Sequence, residues 1–211
     1  PALPDSRVSF DLISNFEAAT PDDMTGFIRL NNGVFHRPDQ VLRIASLVVA
    51  ANRRDDKKLL TVQSDIIDAT IDGKYNFIYF SDALQRIVAH YLPALPDEKN
   101  TPAIPVNHFD YTIHAKKLGT LLNFFDPEIS LSDSCHITGS IHSGKHLFKM
   151  QAVAPHVAYH GTELSGLQLD VNSNGHLMAT LQSENLRLFN MMNLRGFATS
   201  QTASQNRLTS S

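Results

Sequence analysis

Residues 75–93 read YNFIYFSDALQRIVAHYLP, and residues 109–127 read FDYTIHAKKLGTLLNFFDP. The second stretch follows the first at a constant offset of 34 residues. Tyr75, Phe77 and Tyr79 alternate as a strand, and Phe109, Tyr111 and Ile113 repeat them. Leu84, Ile87, Val88 and Tyr91 follow at helical spacing, matched by Leu118, Leu121, Leu122 and Phe125. Pro93 and Pro127 end the two units. Ser81 reads as the N-cap of the first helix, with Asp82 favouring its first turn. A duplicated strand-plus-helix unit inside a strand-rich chain points to a repetitive β scaffold.

Outward from these units, period-two alternation dominates. It runs through Val8–Leu12, Phe27–Leu30, Leu42–Val49 with a change of phase at Leu47, Leu60–Val62 and Ile67–Ile71. After Pro127 it resumes in Ile137–Ile141, Phe148–Ala152, Val157–Tyr159, Leu167–Val171 and Leu177–Leu181. Asn31-Asn32-Gly33, Asp72-Gly73, Ser143-Gly144, His160-Gly161 and Asn172–Gly175 read as turns. Residues 53–58, RRDDKK, form a solvated hairpin loop, since two acids interrupt the bases. A weaker repeat matches Ile44, Leu47 and Val49 to Leu164, Leu167 and Leu169, and Thr61–Asp65 to Thr180–Glu184. The regions are a β meander over 8–79, a strand–helix region over 80–127 with a proline-rich connector from Pro93 to Pro105, and a second meander over 128–199. Short turns imply antiparallel pairing. The fold expected is mainly β, one long meander whose apolar face two amphipathic helices cover.

Composition narrows the function. The chain has 211 residues, a net charge of −3 and no basic stripe, which argues against nucleic acid as a partner. Its one cysteine, Cys135, excludes an internal disulfide. No apolar run approaches the ~20 residues that span a bilayer. The opening Pro1-Ala2-Leu3-Pro4, without Met and running at once into a strand, reads as a segment of a longer protein.

Several strings resemble chemistry. Residues 139–146, GSIHSGKH, nearly spell a P-loop, but His146 replaces the Ser or Thr and the sequence continues as a strand rather than a helix. A hairpin turn is the better reading. His142/His146 and His156/His160 are four apart, which on a strand is about 13 Å, too far for one zinc ion. Cys135 and His136 are neighbours on a strand and point to opposite faces. Asp65, Asp68 and Asp72 suit turns. The expectation is a non-enzymatic protein without metal or cofactor. The absence of Trp counts against a carbohydrate-binding surface.

Residues 60–77, LTVQSDIIDATIDGKYNF, together with FDYTI at 109–113, LGTLLNFFDP at 118–127, Gly139–Ile141 and Val157–Gly161, resemble central segments of the TamB family. These are translocation-and-assembly-module proteins of the diderm envelope. The resemblance implies a curved, trough-like sheet, the β-taco, in the periplasm, in a protein anchored in the inner membrane by an N-terminal helix. It implies phospholipid as ligand, an outer-membrane barrel protein of the BamA type as partner, and a role in outer-membrane biogenesis by lipid transport or protein assembly. The lining expected of an acyl-chain groove is Leu42, Ile44, Val62, Ile71, Ile113, Leu167, Leu169, Val171 and Leu181. An alternative is an interaction module that pairs through its strand edges without lipid.

Overall fold

The computed structural model describes residues 7–18, 20–38, 40–92, 104–189, 191–204 and 207–210. The first strands are β1 (Arg7–Glu17), β2 (Thr25–Arg37), β3 (Gln40–Arg54), β4 (Lys57–Ser64) and β5 (Ile67–Lys74). Helix α1 (Phe80–Tyr91), strand β6 (His108–Ala115) and helix α2 (Leu118–Phe125) follow. Then come β7 (Ile129–Leu131), β8 (Cys135–His142), β9 (Leu147–Tyr159), β10 (Thr162–Asn172), β11 (Leu177–Leu188), β12 (Met192–Ser204) and β13 (Arg207–Ser210). All belong to one antiparallel sheet that is not closed, with neighbours in chain order except that β8 follows β6 and the short β7 pairs with β9.

The turns obey local chemistry. His160 and Gly161 both take positive φ, 46° and 76°, between β9 and β10, the backbone that a two-residue hairpin of the right twist needs. Residues 139–146 are β8 and a short 3-10 turn leading into β9, so no helix opens there to receive a phosphate. The weaker repeat corresponds to equivalent hairpins: Val49 opposes Val62 in β3–β4, and Leu169 opposes Leu181 in β10–β11.

Several expectations need correction. Asn31-Asn32-Gly33 is not a hairpin but lies inside β2. There the β2–β3 register passes from Asn31↔Ser46 to Gly33↔Ile44, and Asn32 has φ 54°. Both strands change phase together, so the Leu42/Ile44 set and the Leu47/Val49 set stay on one face. Asp72-Gly73 is likewise inside β5. Gly73 (φ 137°) lies so close to the adjoining strand that a Cβ would come within 2.4 Å of the His108 carbonyl oxygen.

The third correction concerns the repeat itself. Phe109–Ile113 is strand, but Tyr75–Tyr79 leaves the sheet. Asp22, 4% exposed, accepts from the Phe77 amide at 2.6 Å, and Asn107 Oδ1 accepts from the Asn76 amide at 2.6 Å. Lys58 Nζ donates to the carbonyls of Asp22 and Tyr75 and sits 5.1 Å from the centre of the Tyr75 ring. These groups satisfy backbone that a strand neighbour would otherwise have to satisfy. In the strand half the repeated pattern therefore marks shared hydrophobic spacing, not a shared fold, whereas the helix half is helical in both units, α1 and α2. The N-cap position of α1 is Tyr79, without a side-chain cap, rather than Ser81. On α2 the buried aromatic is Phe124 (7% exposed), whereas Phe125 is 62% exposed. Pro93 and most of the connector to Pro105 (residues 93–103) lie outside the described residues.

Both helices pack on the apolar face, at opposite ends of the strands. Ile87 and Tyr91 of α1 join Tyr75, Phe109, Ile141 and Ala203 in one buried cluster, with Leu60 and Leu177 packed against it. Leu60 is on β4 and Ala203 on β12, seven strand spacings apart, which in a flat sheet is roughly 34 Å. A helix is only ~10–12 Å wide, so the sheet curls around it into a trough. Helix α2 covers the other end: Phe124 packs with Leu42 and Ile66, and Leu118 also meets the cluster of Ala115, Cys135 and Ala154.

Candidate functional site

Between the two helix-covered ends runs an apolar strip. Direct cross-strand neighbours share a face, and one row can be followed across eight strands. Val49 opposes Val62, which opposes Ala69, which opposes Ile113. Ile113 opposes Ile137, and the row continues through Ala152 and Leu169 to Leu181. All eight are aliphatic. None is fully buried, and none belongs to the clusters under α1 or α2. The face is that of the helices, because Ala115 and Ile67, two residues along from Ile113 and Ala69, pack beneath α2.

The adjoining row toward α1 contains Ile71, Tyr111, Gly139, Met150, Val171 and Ala179. Tyr111 lies across Gly139 and donates to the Lys149 carbonyl at 3.3 Å. A Cβ on Gly139 would sit 2.4 Å from that hydroxyl, so only glycine leaves room for the ring. Burial pushes the Tyr111 phenol up to about 12, so the hydroxyl stays neutral and the strip carries no charge from it.

The expected lining residues divide accordingly. Val62, Ile113, Leu169 and Leu181 are brought together in the uncovered row, and Val171 lies in the row beside it. Ile71 packs against the α1 cluster. Leu167 packs in the cluster of Ala115 and Cys135. Ile44 and Leu42 lie under α2, and Leu42 is 2% exposed, which makes it core and removes it from any open groove. Sequence reasoning missed Val49, Ala69, Ile137 and Ala152. Alternation put them on the apolar faces of their strands, but only the cross-strand register lines them up.

The polar groups go elsewhere. Cys135 Sγ donates to the Ser132 carbonyl at 3.1 Å, while His136 stands on the opposite face against His114, with ring centres 4.7 Å apart. His142 stacks on His108 at 4.2 Å, and His146 stacks on His90 of α1 at 4.2 Å. Burial lowers the pKa of both His142 and His146, helped by His108 and Lys145 for the first and by His90 for the second. Asp68 is lowered by its bond to Lys116, 2.7 Å away, and accepts from the Ser64 amide. Asp65 accepts from the Ser46 amide. Among the described residues, no group of three or more His, Cys, Asp or Glu is placed to hold a metal ion, and no helix is long and apolar enough to cross a membrane.

No family model matches this chain, and neither a curated protein nor a solved structure does.

Proposed function

We propose that the uncovered strip binds the acyl chains of phospholipids, and that the chain is a non-catalytic, TamB-like segment of a periplasmic lipid-transport or outer-membrane assembly protein. The observation that carries this reading is the row from Val49 to Leu181: eight aliphatic side chains in register, half-buried between two helices that each cover one end of the strands. The two helices sit to either side of this row.

The physics suits acyl chains. Burial yields about 0.8 kcal/mol per CH₂, so a ~16-carbon chain gains roughly 10 kcal/mol before ordering costs. A row of near-equivalent aliphatic contacts offers no single deep site, so a chain can slide along it with low barriers. A carboxylate or ammonium in the row would cost several kcal/mol to desolvate and would interrupt such movement.

The experiment is native mass spectrometry of the purified protein, followed by lipid extraction. Bound phospholipid is expected in the unaltered protein, and its loss in Leu169→Asp/Leu181→Asp with the β signal in circular dichroism retained. A lipid-free mass that takes up no added phospholipid overturns the proposal.

A further inference from the structure

Strand β1 has one partner, β2, and a second edge that no described strand pairs. All eleven of its residues are exposed. Val8 (54%), Phe10 (47%), Leu12 (54%) and Phe16 (45%) are large and apolar and share one face with Ser14: the β1–β2 register shifts between Ser9 and Asp11, but Val8 opposes Phe35, which packs beneath α2. That face is the inner one, since Leu12 opposes Leu30, which opposes Leu47 of the same apolar face, and Ser14 opposes Ile28, which opposes Val49. The strand contains no proline and no lysine, two of the devices by which an edge is kept from pairing.

We propose that two copies of this chain associate through β1, antiparallel, about a two-fold axis at Leu12. In an antiparallel pair between copies, opposing residue numbers have a constant sum. A sum of 24 is the single register that pairs all eleven residues from Arg7 to Glu17. The same register sets Arg7 opposite Glu17 of the second copy at both ends. It sets Val8 opposite Phe16, Phe10 opposite Ser14, and Leu12 opposite its own counterpart, so the inner faces meet without inversion. Maximal overlap and charge complementarity thus select one register independently of each other. A parallel pair in register would instead oppose Arg7 to Arg7 and Glu17 to Glu17. The opposite end of the sheet offers the four residues Arg207–Ser210 of β13 and, beyond them, Met192–Ser200 of β12, which pair with β11 alone; joining that end to β1 of another copy would build an open series rather than a closed pair. The closed two-fold arrangement is isologous and stops at the dimer.

The pairing adds on the order of ten backbone hydrogen bonds. It also makes the inner faces of the two copies continuous, whatever ligand they hold. The proposal does not depend on lipid binding.

Sedimentation velocity across a concentration series tests it, with the unaltered chain, Leu12→Lys, Arg7→Glu, Glu17→Arg and the double variant Arg7→Glu/Glu17→Arg. The unaltered chain is expected to be a monomer–dimer system. Leu12→Lys places two ammonium groups at the axis and is expected to be monomeric. It alters a half-exposed side chain, so the fold survives. Each single charge reversal turns two attractions into two repulsions and is expected to weaken the dimer about tenfold or more. The double variant exchanges the charges and restores the affinity. A monomer at every concentration, an open series of larger oligomers, or a double variant no tighter than the singles overturns the proposal.

Discussion

Ile141 and Ile137 lie on the same strand and the same face, four residues apart, yet the fold gives them different surroundings. Ile141 is 2% exposed in the cluster under α1, with Tyr75, Ile87 and Phe109. Ile137 is half-buried in the strip and belongs to no buried cluster. Replacing either by Ala deletes three carbons, worth about 2.4 kcal/mol when fully transferred from water at ~0.8 kcal/mol each. At Ile141 a cavity term adds to this, because the ring of Tyr75, the helix and the neighbouring strands cannot all collapse into the space. The total expected is ~3–5 kcal/mol. At Ile137 part of that area already faces the trough and the residue belongs to no buried cluster, so ~1–2 kcal/mol is expected. The change in β-propensity, up to ~1 kcal/mol, is common to both and cancels in the comparison. Urea unfolding of delipidated protein, followed by circular dichroism at equal slope, measures the difference. Ile141→Ala should be about 2 kcal/mol the more damaging. Equal losses, within ~0.5 kcal/mol, would refute the reasoning, because Ile137 would then be covered core and the strip would not be available to a ligand.

Three further outcomes follow from the same geometry. Phe124→Ala should cost ~3–5 kcal/mol in the same unfolding assay and Phe125→Ala less than ~0.5, since the first is 7% and the second 62% exposed. Gly139→Ala should destabilise by ~1–3 kcal/mol, because its Cβ meets both the Lys149 carbonyl and the Tyr111 ring; Gly139→Ala/Tyr111→Ala relieves the ring clash and should lose less than the sum of its singles in a double-mutant cycle. His142 and His146 have lowered folded pKa values, so the unfolded chain takes up protons first. Their contribution is complete above the unfolded value of about 6.5 and declines as pH falls below it toward the lowered folded values. The melting temperature should therefore drop from pH 7 to pH 5, and His142→Gln/His146→Gln should flatten that dependence. The groups facing them are His108 and Lys145 for His142, and His90 with the Tyr91 hydroxyl, 3.2 Å from the His146 carbonyl, for His146.

Much of this architecture is written in local sequence. Alternation of apolar and polar residues fixes which face of each strand is inward, because successive side chains point to opposite sides whatever the partner. His160-Gly161 announces its hairpin because few residues adopt positive φ without strain. The two amphipathic stripes announce α1 and α2 because a helix needs somewhere to bury them. Those signals suffice for a single long antiparallel sheet with two helices on its apolar face.

Other features depended on distant partners. Tyr75–Phe77–Tyr79 alternates as well as Phe109–Tyr111–Ile113, but Asp22 and Asn107, far away in the chain, take its amides and draw it out of the sheet. Phe124 and Phe125 both follow Leu121 at helical spacing. Leu42 on β3 and Ile66 in the turn between β4 and β5, both packed beneath α2, decide which one is buried. The strip is the clearest case. Its residues were legible as apolar-face positions of their strands, whereas the inward side after the phase change at Leu47 and the continuity from Val49 to Leu181 required the register of seven strand pairs, and its exposure required knowing where the helices land. Periodicity is a property of neighbours along the chain, while coverage is decided by segments brought together only when the sheet curls.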